Sequence, residues 1–151
     1  MKQRFKTLPS GLQYSKGIEG SIFIRNPKTL KLYFQITKEQ RSMDCYKHHC
    51  FFAFNNEQFE EGKKKAHIQD GEKIYSVGAG MYGTLEGIKG YFAEHKSFDE
   101  RIKAECDAQE VYFYEYNNHE CNLSWDGDEE PFKLILRIWG KEVADSIVRI
   151  N

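Results

Sequence analysis

Several features that would assign this chain to a class are missing from its sequence. Its longest apolar runs are only a few residues, too short for a membrane-spanning helix. No apolar segment follows the basic start Met1–Lys6, so we expect no signal peptide and a cytoplasmic location. Four cysteines without an export signal indicate reduced thiols. Internal repeats and low-complexity segments are absent, and 40% hydrophobic and 30% charged residues indicate that the 151-residue chain is globular.

The net charge of −1 is small, but it is unevenly spread. Residues 1–31 carry seven bases and one acid, a net charge of +6, so the other 120 residues carry −7. A basic arm can reach phosphates, which makes nucleic acid a candidate partner. It is not the favoured partner, because the whole chain lacks the basic excess of nucleic-acid binders. The alternative is an arm that docks on its own acidic body.

The hydropathy pattern predicts an α+β fold in which a small antiparallel sheet packs with several helices. Residues 1–20 show no clean period, so we expect a loosely structured basic arm followed by a single globular domain over residues 21–151. A short strand at 21–24 precedes residues 30–37, in which apolar and polar residues alternate. This period of two favours an N-terminal β-hairpin. The alternative is a helix capped by Asn26 with Pro27 at its first position.

The remaining chain is predicted to be mostly helical. Residues 51–54 are compatible with a buried strand or with the continuation of a helix, and residues 132–138 with a helix or a strand. Glycine and capping signals place the other elements. The expected helices cover residues 38–49, Asn56–Lys65 with Asn55 as cap, 84–103, 107–119 with Asp107 and Glu110 as a capping pair, a segment from Asp128 or Glu129 to Gly140, and a last short segment around Val143–Ile150; a further strand covers residues 74–77.

Two aromatic blocks, residues 46–62 and 111–121, stand out. Four phenylalanines lie in the nine positions 51–59, too many for a solvated surface. Both blocks also carry groups that can bond or ligate, so a site is expected where the two blocks meet. The candidate ligand-binding residues are His49, Asn56, Glu57, Glu60, Asn118, His119 and Glu120.

Metal binding is the alternative use of these residues. Cys45 and His49 share a face if they lie on a helix, and His119 and Cys121 could complete a tetrahedral zinc site. Histidines and glutamates, with Glu115 four residues before His119, could also serve a metal-dependent hydrolase. More often such cysteines are buried small hydrophobes and such carboxylates cap helices.

Three further motifs have simple structural explanations. Gly78–Gly83 reads G-x-G-x-x-G, but no second strand ending in an acid follows, so we expect a glycine turn and no dinucleotide. Asp126–Pro131 resembles a calcium loop, but Pro131 stands where such a loop needs glycine, which favours a solvated turn. Cys50 and His49 could be a nucleophile and its base, although neighbours in sequence rarely have that geometry.

The segment Cys50–Gly62, CFFAFNNEQFEEG, resembles a motif of small uncharacterised proteins of bacterial phages and mobile elements. The chain is similar to these proteins in two further places, the glycine-rich turn Val77–Gly83 and the tripeptide Asn118-His119-Glu120. The resemblance covers roughly residues 38–126, and it implies no known activity. It implies only a setting, a bacterial cytosol and a phage or conjugative element.

Two functional hypotheses follow. The favoured one is a non-enzymatic accessory protein whose aromatic and acidic surface binds another protein, because no catalytic motif is complete. The other is a zinc-binding domain or a metal-dependent hydrolase that uses the histidine, cysteine and glutamate set. Under the favoured hypothesis we expect no cofactor and no membrane partner.

Overall fold

The computed structural model describes residues 4–119 and 127–150. Within these ranges the chain has six α-helices and two antiparallel sheets of three strands each, which confirms the predicted α+β class. None of the helices in the described ranges is long and apolar enough to cross a membrane.

The chain divides into two compact units. The terminal unit consists of the residues up to 37 and those from 99 onward, and the central unit consists of residues 38–98. No division falls at residue 20, where the sequence predicted the end of an arm. Helix α1 (Leu30–Arg41) and helix α3 (Leu85–Glu105) each contribute residues to both units.

The first sheet, in the terminal unit, lies largely within the segment that was expected to be a loose arm. Its strands, in the order β1-β2-β3, are β1 (Lys6–Thr7), β2 (Gln13–Lys16) and β3 (Ile22–Arg25). Tyr14 explains why this segment is ordered. Its buried ring stacks on Phe113 with the ring centroids 4.6 Å apart. Strand pairs this short give no readable periodicity, and the packing partner lies about a hundred positions away.

Residues 30–37 form helix α1 and not the second strand of a hairpin, so the favoured prediction was wrong there. Leu30, Tyr33 and Ile36 are its buried residues, and their spacing of three fits a helix as well as the alternation fitted a strand. The carboxylate of Glu110 stabilises the start of the helix. It accepts hydrogen bonds from the backbone N–H groups of Lys28 and Thr29 at 2.8–3.1 Å, next to the helix N-terminus.

Three more helices complete the terminal unit. The predicted signals at Asp107 and Gly140 lie at helix ends, but the last helix stops at Ser146 and does not reach Ile150 as expected. Asp107 accepts from the N–H of Glu110 at 3.0 Å, as a capping residue should. Gly140, with φ +91°, separates the last two helices. The helices are α4 (Ala108–Asn118), α5 (Glu129–Trp139) and α6 (Lys141–Ser146).

The second sheet, in the central unit, is covered by a helix on each face. The elements are β4 (Cys50–Phe52), α2 (Asn56–Lys65), β5 (Tyr75–Gly78) and β6 (Met81–Gly83), and the strand order is β4-β6-β5. Phe51 packs with Ala66 and Ile68 on the side of helix α2, whereas Cys50 and Met81 pack with Ile88 of α3.

Two predictions about the central unit need comment. The predicted helix over residues 38–49 is wrong after Arg41, because α1 ends there and only a short 3-10 turn, Tyr46–His48, follows. The glycine turn is confirmed: residues 78–80 have φ between +53° and +87° and join the antiparallel strands β5 and β6. The G-x-G-x-x-G pattern is thus a hairpin, not the strand-to-helix turn of a dinucleotide site.

Candidate functional site

The most unusual surface of the central unit is a tip formed by Phe54, Asn55 and Asn56 with Gly80 of the β5–β6 turn. Two reciprocal hydrogen bonds fix its backbone. The side chain of Asn55 accepts from the N–H of Gln58 at 2.8 Å, and the side chain of Gln58 accepts from the N–H of Phe54 at 2.9 Å. Asn55 thus caps α2 as predicted, and the pair resembles a capping box with the return bond one residue earlier.

The Phe54 ring lies against the backbone of Gly80 while most of its surface faces solvent. The residue is 78% exposed. A Cβ added at Gly80 would lie 2.5 Å from Cε1 of the ring, so the ring occupies the space that only glycine leaves open. Gly80 also has φ +79°. An exposed aromatic ring is therefore held in place by a glycine of the neighbouring turn.

A groove of about 400 Å³ runs beside this ring. Phe59 and Tyr82 form its aromatic side, with their ring centroids 5.1 Å apart. The groove thus has two aromatic rings on one side, whereas polar groups, among them Asn55 and Asn56, form most of its accessible lining. The lining residues are Ala53, Phe54, Asn55, Asn56, Phe59, Gly80 and Tyr82.

Two more exposed apolar side chains lie at the same end of the sheet. Phe52, the register partner of Met81, is 45% exposed, and Val77, at the bulge in β5, is 42% exposed. The four phenylalanines of residues 51–59 are thus divided, since Phe51 is fully buried and Phe59 half-buried. The expectation that four phenylalanines in nine positions are too many for a solvated surface was therefore wrong for Phe52 and Phe54.

Helix α2 continues from the tip with an acidic surface. Asn56, Glu57 and Glu60 are exposed, and Glu57 lies in the first turn, where its charge stabilises the helix dipole. Among the described residues, neither Glu57 nor Glu60 forms an ion pair, whereas Glu61 pairs with Lys65 at 3.0 Å. Three of the predicted ligand-binding residues therefore lie together beside the aromatic tip.

His49 lies at the other end of α2. Its backbone is left-handed, with φ +52°, and its Nδ1–H donates to the carbonyl of Ala66 at 2.8 Å. Because α2 has ten residues, this end is about 15 Å from Asn56. The hydrogen bond of His49 therefore connects the start of β4 to the end of α2, and His49 does not lie beside Glu57 and Glu60.

Asn118 and His119 belong to the terminal unit and surround Glu115. The buried Glu115 carboxylate accepts from Tyr33 at 2.7 Å and from Asn118 at 3.1 Å, and His119 Nε2 lies 3.1 Å from it. These contacts occupy the carboxylate, so the predicted i, i+4 pair forms as part of a hydrogen-bonded cluster. Glu120, the last predicted ligand-binding residue, lies outside the described residues.

Zinc binding stays a prediction. His49 and His119 belong to different units, and Cys121 lies outside the described residues. Within residues 4–119 and 127–150, no three histidine, cysteine or acidic side chains are grouped closely enough to hold a metal ion. Cys45 packs beside the buried Cys50 and Met81.

Cys50 does not have the geometry of a nucleophile with His49 as its base. It is buried, and its thiol donates to the carbonyl of His48 at 3.3 Å. Burial raises the pKa of the Cys50 thiol to about 11, so the thiol is protonated at neutral pH. The ring of His49 is turned toward Ala66 instead.

One histidine cluster of the central unit was not found from the sequence. His48 Nε2 and Lys47 Nζ bond the same oxygen of Glu94, at 2.6 and 2.9 Å. These hydrogen bonds, from His48 first and then Lys47, lower the pKa of the Glu94 carboxyl. A Cβ at Gly87 would lie 1.9 Å from the carbonyl oxygen of His48, so the backbone at His48 packs directly against the backbone of α3 at Gly87. The glycines at 87 and 90, on the same side as Glu94, were the available signal.

Asp128 was expected in a solvated turn, but it is buried. Arg149 donates to both of its carboxylate oxygens at 2.6 and 2.7 Å, and the hydroxyl of Tyr112 donates at 2.6 Å. Burial alone would raise the pKa of Asp128, but the hydrogen bonds from Arg149 and Tyr112 outweigh it and lower the pKa. This cluster holds the C-terminal segment, because the N–H of Ile150 also donates to Tyr112.

The terminal unit has a larger groove, of about 480 Å³, whose serine, aspartate and glutamine side chains in the described part of the chain are already hydrogen-bonded. Gln109, its main polar side chain, is already bonded to the backbone of Val148 on both sides of its amide. Burial raises the pKa of Cys106, in the wall, to about 11, so this thiol is also protonated. The tip at Phe54 therefore remains the best candidate for a functional surface.

Comparisons with known proteins identify a family but no activity. No curated protein and no solved structure matches the chain significantly. A family described as a family of unknown function, DUF7659, matches residues 33–136. The match includes the whole central unit and begins after the first sheet. Since it covers about two thirds of the chain, the protein belongs to the DUF7659 family of unknown function.

Proposed function

We propose that this protein is a protein-binding module whose contact centre is the Phe54 tip. The observation that carries the proposal is a phenylalanine that is 78% exposed and yet seated on the backbone of Gly80. Core packing does not explain such a ring. Aromatic side chains that are fixed before binding are typical anchors of protein interfaces, because little conformational entropy is lost when they are covered.

The surroundings indicate the chemistry of the partner. Asn55 and Asn56 offer amide groups beside the ring, and Glu57 and Glu60 add negative charge without an ion pair among the described residues. The complementary surface is an apolar pocket for the ring with basic residues on the side that faces α2. Burial of the phenylalanine would contribute about 2 kcal/mol, or roughly a 30-fold change in Kd.

Site-specific photocrosslinking tests this proposal. A photoreactive phenylalanine analogue replaces Phe54 in one variant and Phe92 in a control variant, in the cells that encode the protein. Phe92 is also a solvent-exposed phenylalanine of the central unit, at 51% exposure, but it lies on α3. We expect a defined adduct with another protein from position 54 and not from position 92.

Three results would contradict the proposal. They are the absence of an adduct from position 54, the same adducts from both positions, and an adduct with twice the mass of this chain. The last result would show that the tip binds a second copy.

The acidic flank gives a second test on the identified partner. Glu57→Gln with Glu60→Gln should lower the association rate and weaken its dependence on salt, because both charges lie at the rim of the contact. Glu61→Gln is the matched control, since Glu61 is already paired with Lys65. If the double variant and Glu61→Gln changed the association rate equally, Glu57 and Glu60 would have no special role at the interface.

The resemblance to phage and mobile-element proteins supports a setting for this function. We propose a bacterial cytosol, with the partner encoded by the same mobile element or by its host. Co-purification from cells that carry the element tests this setting, and a partner found only in cells without such elements would refute it.

The zinc domain or metal-dependent hydrolase remains the competing proposal. It is tested by elemental analysis of untagged protein that was purified without chelator. Near-stoichiometric zinc that is lost in a His119→Ala variant would support it. Folded protein that is free of metal would remove the tightly bound zinc site.

A further inference from the structure

The three-stranded sheet of the terminal unit carries a cluster of positive charge. Arg4, Lys6 and Lys16 line one cavity of about 160 Å³ together with Tyr14, Ser15, Arg149 and Ile150. Within the part of the chain that the structure describes, none of these three cations forms an ion pair or a side-chain hydrogen bond. Arg149, in contrast, is neutralised by Asp128. The cavity thus brings together three cations whose charge no described carboxylate balances.

The register of the sheet explains why these cations come together. Lys6 lies opposite Tyr14, and Lys16 lies two residues further along β2. Opposed residues and residues two apart share a face of a sheet, so Lys6, Tyr14 and Lys16 lie on one face. The positions of Lys6 and Lys16 are therefore set by strand pairing, and Arg4 lies two residues before Lys6.

The opposite face of the same sheet carries exposed aromatic surface. Phe23, opposite Ser15, is 48% exposed, and the guanidinium of Arg25 lies 3.8 Å from the centre of the Phe5 ring. A Cβ at Gly17 would lie 2.7 Å from the Phe23 ring, so this ring also uses space that a glycine leaves open. Exposed rings and arginine planes on a small sheet are the groups on which unpaired bases stack.

We propose that this sheet binds single-stranded nucleic acid. Phe23 and the Phe5–Arg25 pair provide stacking surfaces for bases on one face, and the nucleic acid passes around the edge strand β1, so that its neighbouring phosphates contact Arg4, Lys6 and Lys16 on the other face. The cavity of about 160 Å³ suits a phosphate group and is smaller than a pocket for a whole small molecule. Double-stranded DNA lacks the accessible base faces that this arrangement requires.

The site is independent of the proposed protein-binding tip. It lies in the terminal unit, whereas Phe54 lies in the central unit. It also lies outside residues 33–136, so it is a property of this chain and not of the matched family region.

Fluorescence anisotropy with labelled 20-nucleotide oligo(dT) and oligo(U) tests the proposal on the full chain. We expect binding of at least one of them, with an affinity that falls on the order of 20-fold between 50 and 200 mM salt for three phosphate contacts. Substituting Arg4, Lys6 and Lys16 together by Gln should reduce the salt slope by about 2. Phe23→Ala should weaken binding about fivefold or more through lost stacking.

Matched controls come from the central unit. Lys64→Gln removes an exposed lysine, and Phe92→Ala removes an exposed ring, without touching the sheet. No binding at 50 mM salt would overturn the proposal, and so would control variants that weaken binding as much as the sheet variants. Unchanged binding by Phe23→Ala, together with full competition by inorganic polyphosphate, would overturn the assignment to nucleic acid and leave only a polyanion surface.

Discussion

The placement of the Phe54 ring can be tested through the two glycines of the β5–β6 turn. Gly78 and Gly80 both have left-handed backbone, with φ +87° and +79°. A Cβ at Gly78 would meet nothing within 4 Å, whereas a Cβ at Gly80 would lie 2.5 Å from the Phe54 ring. Gly78→Ala therefore measures backbone strain alone, and Gly80→Ala measures strain plus displacement of the ring.

The expected free energies follow from these contacts. A left-handed alanine costs about 1–2 kcal/mol at either position. Moving the Phe54 ring away from its rotamer adds on the order of 0.5–1.5 kcal/mol for Gly80→Ala. Phe54→Ala alone should change the free energy of unfolding by less than about 1 kcal/mol, because most of the ring is exposed.

Equilibrium urea unfolding, followed by far-UV circular dichroism, measures the free energy of unfolding of each variant in a double-mutant cycle. Gly78→Ala and Gly80→Ala are each made in the natural chain and in the Phe54→Ala background. We expect Gly80→Ala to be the more destabilising change in the natural chain and the two to be equal when Phe54 is absent. If the difference between the two glycine variants persists without Phe54, the ring does not rest on Gly80 and the reasoning is refuted.

Other predictions concern stability. Gly87→Ala should cost more than about 2 kcal/mol, because its Cβ would lie 1.9 Å from the backbone oxygen of His48; a loss below 0.5 kcal/mol in urea unfolding would contradict this contact. Glu110→Gln should cost about 1–3 kcal/mol, since the carboxylate accepts hydrogen bonds from three donors beside α1, and hydrogen exchange should show weaker protection at the start of that helix. Asp128→Asn should lower the free energy of unfolding by about 1–3 kcal/mol at pH 7, which is less than for a fully buried pair because Arg149 is partly exposed. The folded pKa of Asp128 is lowered, so its stabilisation is fully present above the unfolded pKa of about 3.9 and is lost as the pH falls through the folded pKa. The difference between the natural chain and this variant should therefore shrink below about pH 4, and a difference that is constant from pH 6 to pH 2.5 would contradict the assignment.

Helices with local start signals could be predicted from the sequence. Asn55 and Gln58 lie three residues apart, and the bond between them depends only on the local chain. Asp107 caps α4 in the same way. Such signals are readable because donor and acceptor are neighbours in sequence.

Elements that depend on distant partners could not be predicted. The start of α1 is stabilised by Glu110, about eighty residues away, and β2 is ordered by the contact of Tyr14 with Phe113. Asp128 is buried because Arg149 and Tyr112 reach it. Without these long-range contacts, the local patterns of the same segments also fit a hairpin, a loose arm and a solvated turn.

The candidate site was predicted only in part. Asn56, Glu57 and Glu60 were expected to belong to a site, and they lie together beside the tip. The exposure of Phe54 was not predicted, because a phenylalanine in an aromatic run indicates a core until the strand ends are known. Gly80 lies about 25 positions after Phe54 in the sequence, and no local signal indicates that its turn contacts this ring.

The most direct test of the central claim is the affinity of the captured partner for three forms of the protein. Isothermal titration calorimetry would compare the natural chain, Phe54→Ala and the matched control Phe92→Ala, after circular dichroism has shown that all three are folded. Phe54→Ala should weaken binding by about 30-fold, and Phe92→Ala should change it less than about twofold. Equal affinities for the natural chain and Phe54→Ala would contradict the claim that this ring is the contact centre.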